Sequence, residues 1–132
     1  MMRAGIVGHS GYSGAELVKM LRRHPHVEPV LVDHRSDSAP GHRGPRRIPW
    51  SPQALQENRI GVLFLATPAE VSMELAPAAL ECGVKVVDLS GAFRLRTAEN
   101  YRRWYGAEHA RPDLLAEAAY GLPEFCRERS TL

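Results

Sequence analysis

The chain has 132 residues, of which 44% are hydrophobic and 24% are charged, and these values are ordinary for a globular protein with one core. A formal net charge of +2 is too small to indicate a nucleic-acid-binding protein. Two cysteines do not make a disulfide framework, and the apolar runs are too short to span a bilayer. We therefore expect a cytoplasmic protein with no membrane segment and, since a strand is predicted at the very start, no signal peptide.

A glycine-rich turn near the start of the chain has the pattern of a phosphate-binding site. An apolar run at 4–7 predicts a strand, and Gly8, Gly11 and Gly14 follow it. Residues 15–23 then have the apolar spacing of an amphipathic helix. In such an arrangement the glycines allow a tight turn, a close backbone approach and close helix packing, while the first helical N–H groups face the anion.

We expect this turn to surround the pyrophosphate of a dinucleotide. Ser13 and Glu16 have the Ser-x-x-Glu spacing of a capping box, which predicts where the helix begins. The spacing Gly-x-x-Gly-x-x-Gly differs from the commoner Gly-x-Gly-x-x-Gly, so an ordinary strand-to-helix turn is an alternative. The predicted cofactor-binding residues of the turn are Gly8, Ser10, Gly11, Tyr12, Ser13 and Gly14.

Strands and helices alternate over the following residues. Buried apolar runs predict strands at 27–32, 61–65 and 84–89, with Pro29 at the start of the first of these. The segment 37–52 is rich in proline, glycine and arginine, which predicts a loop. This alternation predicts an α/β fold, with a Rossmann-like, doubly wound parallel sheet in a single domain that covers the whole chain, 1–132.

The helical patterns differ in strength. The longest helix is predicted over 68–82, where Pro77 indicates a kink or a late start and Gly83 indicates a C-cap. Shorter helices are predicted at 51–56, capped by Ser51, at 97–105, capped by Thr97, and at 112–118.

Polar residues after two of the predicted strands are candidates for cofactor contact. Thr67 and Pro68 follow a buried strand, where parallel sheets bind their ligands. Asp33 stands near the position of a ribose-binding carboxylate, which favours NAD. Arg35 and Ser36 can supply a cation and a hydroxyl to a 2′-phosphate, which favours NADP.

Five segments together resemble the N-terminal portion of the N-acetyl-gamma-glutamyl-phosphate reductase family. The last two are specific to that family, whereas the wider aspartate-semialdehyde dehydrogenases share the glycine turn and part of the third segment. The segments are VGHSGYSGAEL at 7–17, FLATP at 64–68, VVDLSGAFRL at 86–95, WYGAEH at 104–109 and YGLPE at 120–124.

The resemblance implies an NADP-dependent oxidoreductase of arginine biosynthesis that reduces a small acyl phosphate to a semialdehyde. In this family a cysteine thiolate attacks the acyl phosphate, phosphate leaves, and hydride reduces the thioester. The resemblance further implies that Ser90 lies near the nicotinamide, that Ser90 and Arg94 contact the substrate, and that Arg35 reads the 2′-phosphate of NADP. It also implies that the full enzyme is a homo-oligomer.

The residues for covalent chemistry are not recognisable in this sequence. The family's nucleophile lies in an Asn-Pro-Gly-Cys segment after Tyr-Gly-Leu-Pro-Glu, and that segment does not occur here. Cys82 is interpreted as a small core residue, and Cys126 has no family motif around it. We therefore expect no catalytic residue in these 132 residues, no C-terminal substrate domain, and no reductase activity for the chain alone.

Other classes of function are weaker alternatives. A non-catalytic module that binds a nucleotide or pairs with another subunit fits the same glycine turn. The six histidines show no metal-ligand grouping, so no metal site is expected. The basic residues at 43–47 are not interleaved with aromatics, and we interpret them as part of a solvated loop rather than as a nucleic-acid contact.

Overall fold

The computed structural model describes residues 1–34, 44–121 and Glu124, which form one parallel sheet with flanking helices. The strands are β1 (Met2–Val7), β2 (Val27–Asp33), β3 (Arg46–Pro49), β4 (Ile60–Leu65) and β5 (Lys85–Asp88). The helices are α1 (Tyr12–Leu21), α2 (Pro52–Glu57), α3 (Ala69–Glu81), α4 (Ala98–Tyr105) and α5 (Pro112–Glu117).

The strand order is β3-β2-β1-β4-β5, and every neighbouring pair is parallel. The chain first adds β2 and β3 on one side of β1 and then returns to add β4 and β5 on the other side. Right-handed crossovers on the two sides place their helices on opposite faces of the sheet. The four predicted strands and the predicted Rossmann-like, doubly wound arrangement are therefore confirmed.

A fifth strand, β3, corrects the predicted loop over 37–52 at Arg46–Pro49, and residues 37–43 of that prediction lie outside the described residues. β3 pairs with β2 in a register that places Arg46 opposite Val30 and Pro49 opposite Asp33. Only Ile48 of its four residues is buried, at 5% exposure. Arginine and proline are tolerated in β3 because it is an edge strand, in which one row of backbone groups needs no partner strand.

Helix α1 begins earlier than the capping pattern predicts. The turn is closed by a hydrogen bond from the Gly11 N–H to the Gly8 carbonyl oxygen at 3.1 Å, and the helix starts directly after it. Gly11 is the N-cap, in an extended conformation with φ −77° and ψ 172°, and no side chain caps the helix. The predicted capping box of Ser13 and Glu16 is therefore wrong, because Ser13 already lies within the first turn.

Prolines within two elements are accommodated differently from the prediction. Pro29 is the third residue of β2 instead of its first, and it precedes Val30, where pairing with β3 begins. Pro77 lies inside α3, which starts eight residues earlier, so the predicted late start is wrong. Gly83 ends α3 as predicted, with φ +76° and a hydrogen bond from its N–H to the Leu80 carbonyl oxygen at 2.9 Å.

The short helices have the predicted caps. The Ser51 hydroxyl accepts a hydrogen bond from the Ala54 N–H at 2.9 Å, which starts α2. The Thr97 hydroxyl accepts one from the Asn100 N–H at 3.2 Å, which starts α4. Each cap satisfies one N–H group that has no partner inside its helix, and such a cap stabilises a helix by about 1 kcal/mol.

The core lies between the middle of the sheet and the helices packed on it. Leu55 of α2 and Leu75 of α3 are at most 1% exposed and belong to the same cluster as the strand residues. Burying a side chain of this size contributes about 1.5–3 kcal/mol. Cys82 is partly buried and packs against this cluster, as predicted for a small core residue. The most buried strand residues of the cluster are Val7, Val30, Val32, Leu63 and Leu65.

The replacement Gly8→Ala is expected to destabilise the fold more than Gly83→Ala. Both glycines have the same left-handed conformation, with φ +77° and +76°, so both changes cost about 1–2 kcal/mol in backbone strain. A Cβ at Gly8 would in addition overlap the Ala66 carbonyl, whereas a Cβ at Gly83 would meet nothing within 4 Å. We expect a further loss of about 1–3 kcal/mol for Gly8→Ala, measured by denaturant unfolding. Equal losses for both variants would contradict the proposed close contact.

Candidate functional site

A cleft of about 480 Å³ opens at the carboxyl ends of β1, β2 and β4. In a doubly wound sheet this is where the strand order reverses and where ligands bind, because the connections on the two sides leave in opposite directions. Several predicted cofactor residues meet here although they come from distant parts of the sequence. Those that line the cleft are Gly8, Ser10, Gly11, Thr67 and Pro68.

The three glycines of the turn have separate structural roles. Gly8 makes the tight turn, and its α-carbon lies against the carbonyl of Ala66. Gly14 is buried in α1, where a Cβ would overlap the Gly8 carbonyl, so its lack of a side chain lets the helix pack on the turn. Gly11 lines the cleft, and a Cβ there would meet only the Gly8 oxygen, at 3.5 Å. Gly11 is therefore the glycine whose missing side chain leaves room for a ligand.

The first turn of α1 begins at Gly11, at one end of this cleft. The first N–H groups of a helix lack partners within it, and the helix dipole places partial positive charge there. Tyr12 and Ser13 are on this turn, but both side chains are exposed, Tyr12 completely, and neither lines the cleft. The structure thus brings the turn to the cleft as far as Gly11 and shows no side chain of Tyr12 or Ser13 there.

The side chains of His9 and Arg47 contact Asp33, the candidate ribose acceptor. Its Oδ1 lies 2.9 Å from His9 Nε2, and its Oδ2 lies 3.7 Å from Arg47 Nε. The three side chains are 12%, 17% and 38% exposed for His9, Asp33 and Arg47, and all three residues line the cleft. The carboxylate therefore connects the glycine turn to strand β3 across the end of β2.

The predicted 2′-phosphate readers, Arg35 and Ser36, lie outside the described residues, so their assignment stays a prediction. The described residue before them, His34, lines the cleft. Cys126 also lies outside the described residues.

Thr67 and Pro68 line the cleft after the end of β4. The Thr67 hydroxyl is 2.8 Å from the hydroxyl of Ser72, a completely buried residue of α3. Pro68 is the N-cap residue of α3, and its carbonyl oxygen accepts a hydrogen bond from the Ser72 N–H at 3.0 Å. These contacts hold the segment after β4 in one conformation beside Gly8.

Ser90 and Arg94 follow β5 and do not line this cleft. The Ser90 hydroxyl donates to Asp88 Oδ2 at 2.8 Å and accepts from the Ala92 N–H at 3.1 Å, so it organises the turn after the strand. Arg94 donates from Nη2 to the Tyr105 hydroxyl at 2.9 Å. Ser90 lies at the carboxyl edge of the sheet, because β5 is parallel to β4 and ends at Asp88, two residues before it.

A buried histidine, His109, is hydrogen-bonded to the segment after β5 that contains Ser90 and Arg94. His109 is 6% exposed, its Nε2 lies 2.8 Å from the Ala92 carbonyl oxygen, and its Nδ1 accepts a hydrogen bond from the Arg111 N–H at 3.0 Å. One nitrogen must donate and the other accept, so the imidazole is neutral with its proton on Nε2. Phe93 and Tyr101 pack edge-to-face on the ring, at 5.1 and 4.8 Å between centroids.

The shifted pKa values lie away from the cleft, on α4, α5 and the residues between them. Burial raises the pKa of Tyr101, and the Glu70 carboxylate raises it further. The hydrogen bond from Arg102 holds the pKa of Glu108 below its usual value. Hydrogen bonding from Arg111 lowers the pKa of Asp113 to about 2.

The described residues include neither a cluster of metal ligands nor a helix that could cross a membrane. No group of three histidine, cysteine, aspartate or glutamate side chains in the described ranges could hold a metal ion. None of the helices in that part of the chain is long and apolar enough to cross a membrane.

Several residues that line the cleft were not predicted from the sequence, and three of them show different reasons. His9 lies inside the glycine pattern but was not among the residues predicted from it. Arg47 lies on β3, whose strand character was not recognised. Val71 lines the cleft from α3, where its apolar side chain was indistinguishable from a core residue.

The chain is similar to proteins named N-acetyl-gamma-glutamyl-phosphate reductase. It is 39% identical to that of Aromatoleum aromaticum over 98% of this chain and 40% of the other protein. It is 43% identical to that of Azotobacter vinelandii, with the same coverage of both chains. The chain thus spans about 40% of the length of these curated relatives.

A solved structure and a family model agree with this likeness. The probable aspartate-semialdehyde dehydrogenase from Pseudomonas aeruginosa is 30% identical, with a TM-score of 0.53 over 69% of this chain and 28% of that one. The family model described as semialdehyde dehydrogenase, NAD binding domain, matches residues 3–131. With nearly every residue matched and with a cleft at the expected edge of a Rossmann-like sheet, the chain belongs to the family of semialdehyde dehydrogenase NAD-binding domains.

Proposed function

We propose that this chain is the NADP-binding portion of an N-acetyl-gamma-glutamyl-phosphate reductase. The observation that carries the proposal is the glycine turn from Gly8 to Gly14, which opens the N-terminus of α1 towards a cleft at the reversal of strand order. Such a site fits a dinucleotide pyrophosphate. The relatives at about 40% identity extend the proposal from nucleotide binding to this reductase.

The pyrophosphate would lie over Gly11, bound by backbone N–H groups of the turn and of the first turn of α1. The uncapped helix supports this, because no side chain occupies the place of the anion. Ser10 lines the cleft and can donate its hydroxyl proton to a phosphate oxygen. Thr67 and Pro68 would contact the ligand from the β4 side, where their backbone is held by Ser72.

Ser90 and Arg94 are proposed to serve the nicotinamide and substrate end. They lie after β5 on the same edge of the sheet, so a dinucleotide that starts at the glycine turn and runs along this edge would extend towards them. The Arg94 guanidinium can bind a carboxylate or phosphate of the substrate through paired hydrogen bonds. The cofactor would supply the hydride that reduces the thioester.

In the complete reaction a cysteine thiolate would attack the acyl phosphate and expel phosphate. Cys82 is unsuited to this step, because it packs against the core. It also lies at the C-terminal end of α3, whereas the N-terminal end of that helix is the one next to the cleft. We propose that the chain binds the cofactor but performs no reduction by itself.

The replacement Gly11→Val is expected to weaken NADP binding with little effect on folding. The extended conformation at Gly11 suits a β-branched residue, and the loss of a glycine N-cap costs about 1 kcal/mol. The added methyl groups would occupy the place proposed for the pyrophosphate, so we expect an affinity loss of at least about tenfold, or ~1.4 kcal/mol. Calorimetric titration measures the affinity, with Met20→Val at the far end of α1 as the control. Unchanged affinity in Gly11→Val would contradict the proposed site.

The chain alone is expected to show no reductase activity. The assay follows phosphate-dependent reduction of NADP by the semialdehyde, which is the reverse reaction, and a full-length relative serves as the positive control. Since the described residues that line the cleft include no cysteine, we expect no rate above background. A measurable rate with the purified 132-residue chain would show that this proposal is wrong.

The proposed preference for NADP predicts a role for Arg35. Its guanidinium can form charge-assisted hydrogen bonds with the 2′-phosphate, so Arg35→Ala is expected to lower NADP affinity about 10- to 100-fold and to leave NAD affinity unchanged. Titration of both nucleotides into the wild type and the variant measures this. Tighter NAD binding by the wild type, with no loss of NADP affinity in the variant, would reverse the assignment.

A further inference from the structure

The hydroxyl groups of Thr67 and Ser72 connect the cleft to the buried part of α3. Ser72 is completely buried, whereas Thr67 is partly exposed and lines the cleft. Their oxygens are 2.8 Å apart, which is an ordinary distance for a hydrogen bond between two hydroxyls. One hydrogen bond therefore joins a side chain that solvent does not reach to a side chain that a ligand in the cleft can reach.

Burial decides which of the two hydroxyls donates. Each has one proton, and a buried O–H group without an acceptor loses its hydrogen bond to water without replacement. Among the described residues the Ser72 hydroxyl is hydrogen-bonded to Thr67 alone, so it does not use the carbonyl four residues before it, as helical serines often do. The Ser72 proton is thus directed at Thr67 Oγ1, and the Thr67 proton points elsewhere.

The rest of the Thr67 side chain is also held in place. Its methyl carbon, Cγ2, faces the glycine turn, where a Cβ added to Gly8 would lie 3.3 Å from it. A β-branched side chain has few favourable χ1 rotamers, and the contacts of its methyl group and its hydroxyl select one of them. Thr67 Oγ1 therefore has a fixed position beside the cleft, with a proton that Ser72 does not need.

We propose that Thr67 donates its hydroxyl proton to an oxygen of the bound dinucleotide and that Ser72 is the positioning residue that orients this hydroxyl. This inference rests on the proposed binding of a dinucleotide in the cleft. The acceptor belongs to the part that NAD and NADP share, because Thr67 follows β4. The predicted reader of the 2′-phosphate, Arg35, follows β2, which lies on the other side of β1.

The first test titrates NADP and NAD calorimetrically into Thr67→Val and Ser72→Ala. Valine nearly keeps the shape of threonine but has no hydroxyl, so we expect Thr67→Val to bind both nucleotides about tenfold more weakly. Ser72→Ala leaves the Thr67 hydroxyl free to rotate, and we expect it to weaken the binding of both nucleotides about threefold to tenfold. The control is Ser51→Ala, which removes the cap of α2 and should lower the unfolding temperature but leave both affinities within about twofold.

The second test separates positioning of Thr67 from support of α3. If Ser72 acts through Thr67, the double variant Thr67→Val/Ser72→Ala binds both nucleotides within about twofold of Thr67→Val. A purely structural role of Ser72 would instead lower the affinity by the same factor in both backgrounds. If a single variant does not fold, as judged by thermal unfolding, the double variant is compared with the wild type, because it leaves no buried hydroxyl without its partner. A loss of less than about threefold would then overturn the proposal.

The outcomes distinguish this inference from the proposed function. A wild-type chain that binds neither nucleotide contradicts the proposed function itself. A wild type that binds NADP, with unchanged affinity in Thr67→Val, overturns only the donor role of Thr67. A loss in Ser72→Ala that persists in the Thr67→Val background overturns the positioning role of Ser72. A loss confined to NADP overturns the placement of the acceptor, because the shared part of the two nucleotides must respond equally.

Discussion

The contact between two backbone segments, the turn after β1 and the end of β4, is the constraint on which the site depends. Gly8 lies against the carbonyl of Ala66, and the Ala66 N–H donates to the Val7 carbonyl oxygen at 3.0 Å. No side chain fits between them, and the left-handed φ of Gly8 turns the chain sharply away from the sheet. The direction of α1, and with it the position of its free N–H groups, follows from this contact.

The parallel sheet brings polar side chains that are far apart in the sequence to one edge, at the carboxyl ends of its strands. Since all five strands run in one direction, every segment that follows a strand leaves at the same edge. Thr67 follows β4, Ser90 follows β5, and Asp33 ends β2, so all of them lie along this edge. The reversal of strand order beside β1 separates the connections there, and the resulting gap is the cleft.

The sequence predicted what depends on local pattern and missed what depends on contacts between strands. Four strands were recognisable because long apolar runs are buried on both faces of the sheet. β3 was missed because its four residues include two arginines and a proline, and only its pairing with β2 makes it a strand. The glycine turn was predictable because the spacing of its glycines is a local pattern. The predicted capping box was wrong because a backbone hydrogen bond at Gly11 closes the turn and the helix starts directly after it.

Local sequence patterns and contacts between strands bear on two different parts of the proposed function, the binding of a dinucleotide and the preference for NADP. In the proposed function, binding of a dinucleotide would depend on the backbone of the turn, where any added side chain at Gly8 or Gly14 would overlap the main chain. In the proposed function, the choice between NADP and NAD would depend on side chains at and after the end of β2, where Asp33 is partly exposed and is connected to Arg47 of β3 by a polar contact. Substitution there changes charge and hydrogen bonding without disturbing the packed core, because neither Asp33 nor Arg47 belongs to it. A fold of this kind can therefore keep its nucleotide site while its preference for a 2′-phosphate changes through a few residues at one edge of the sheet.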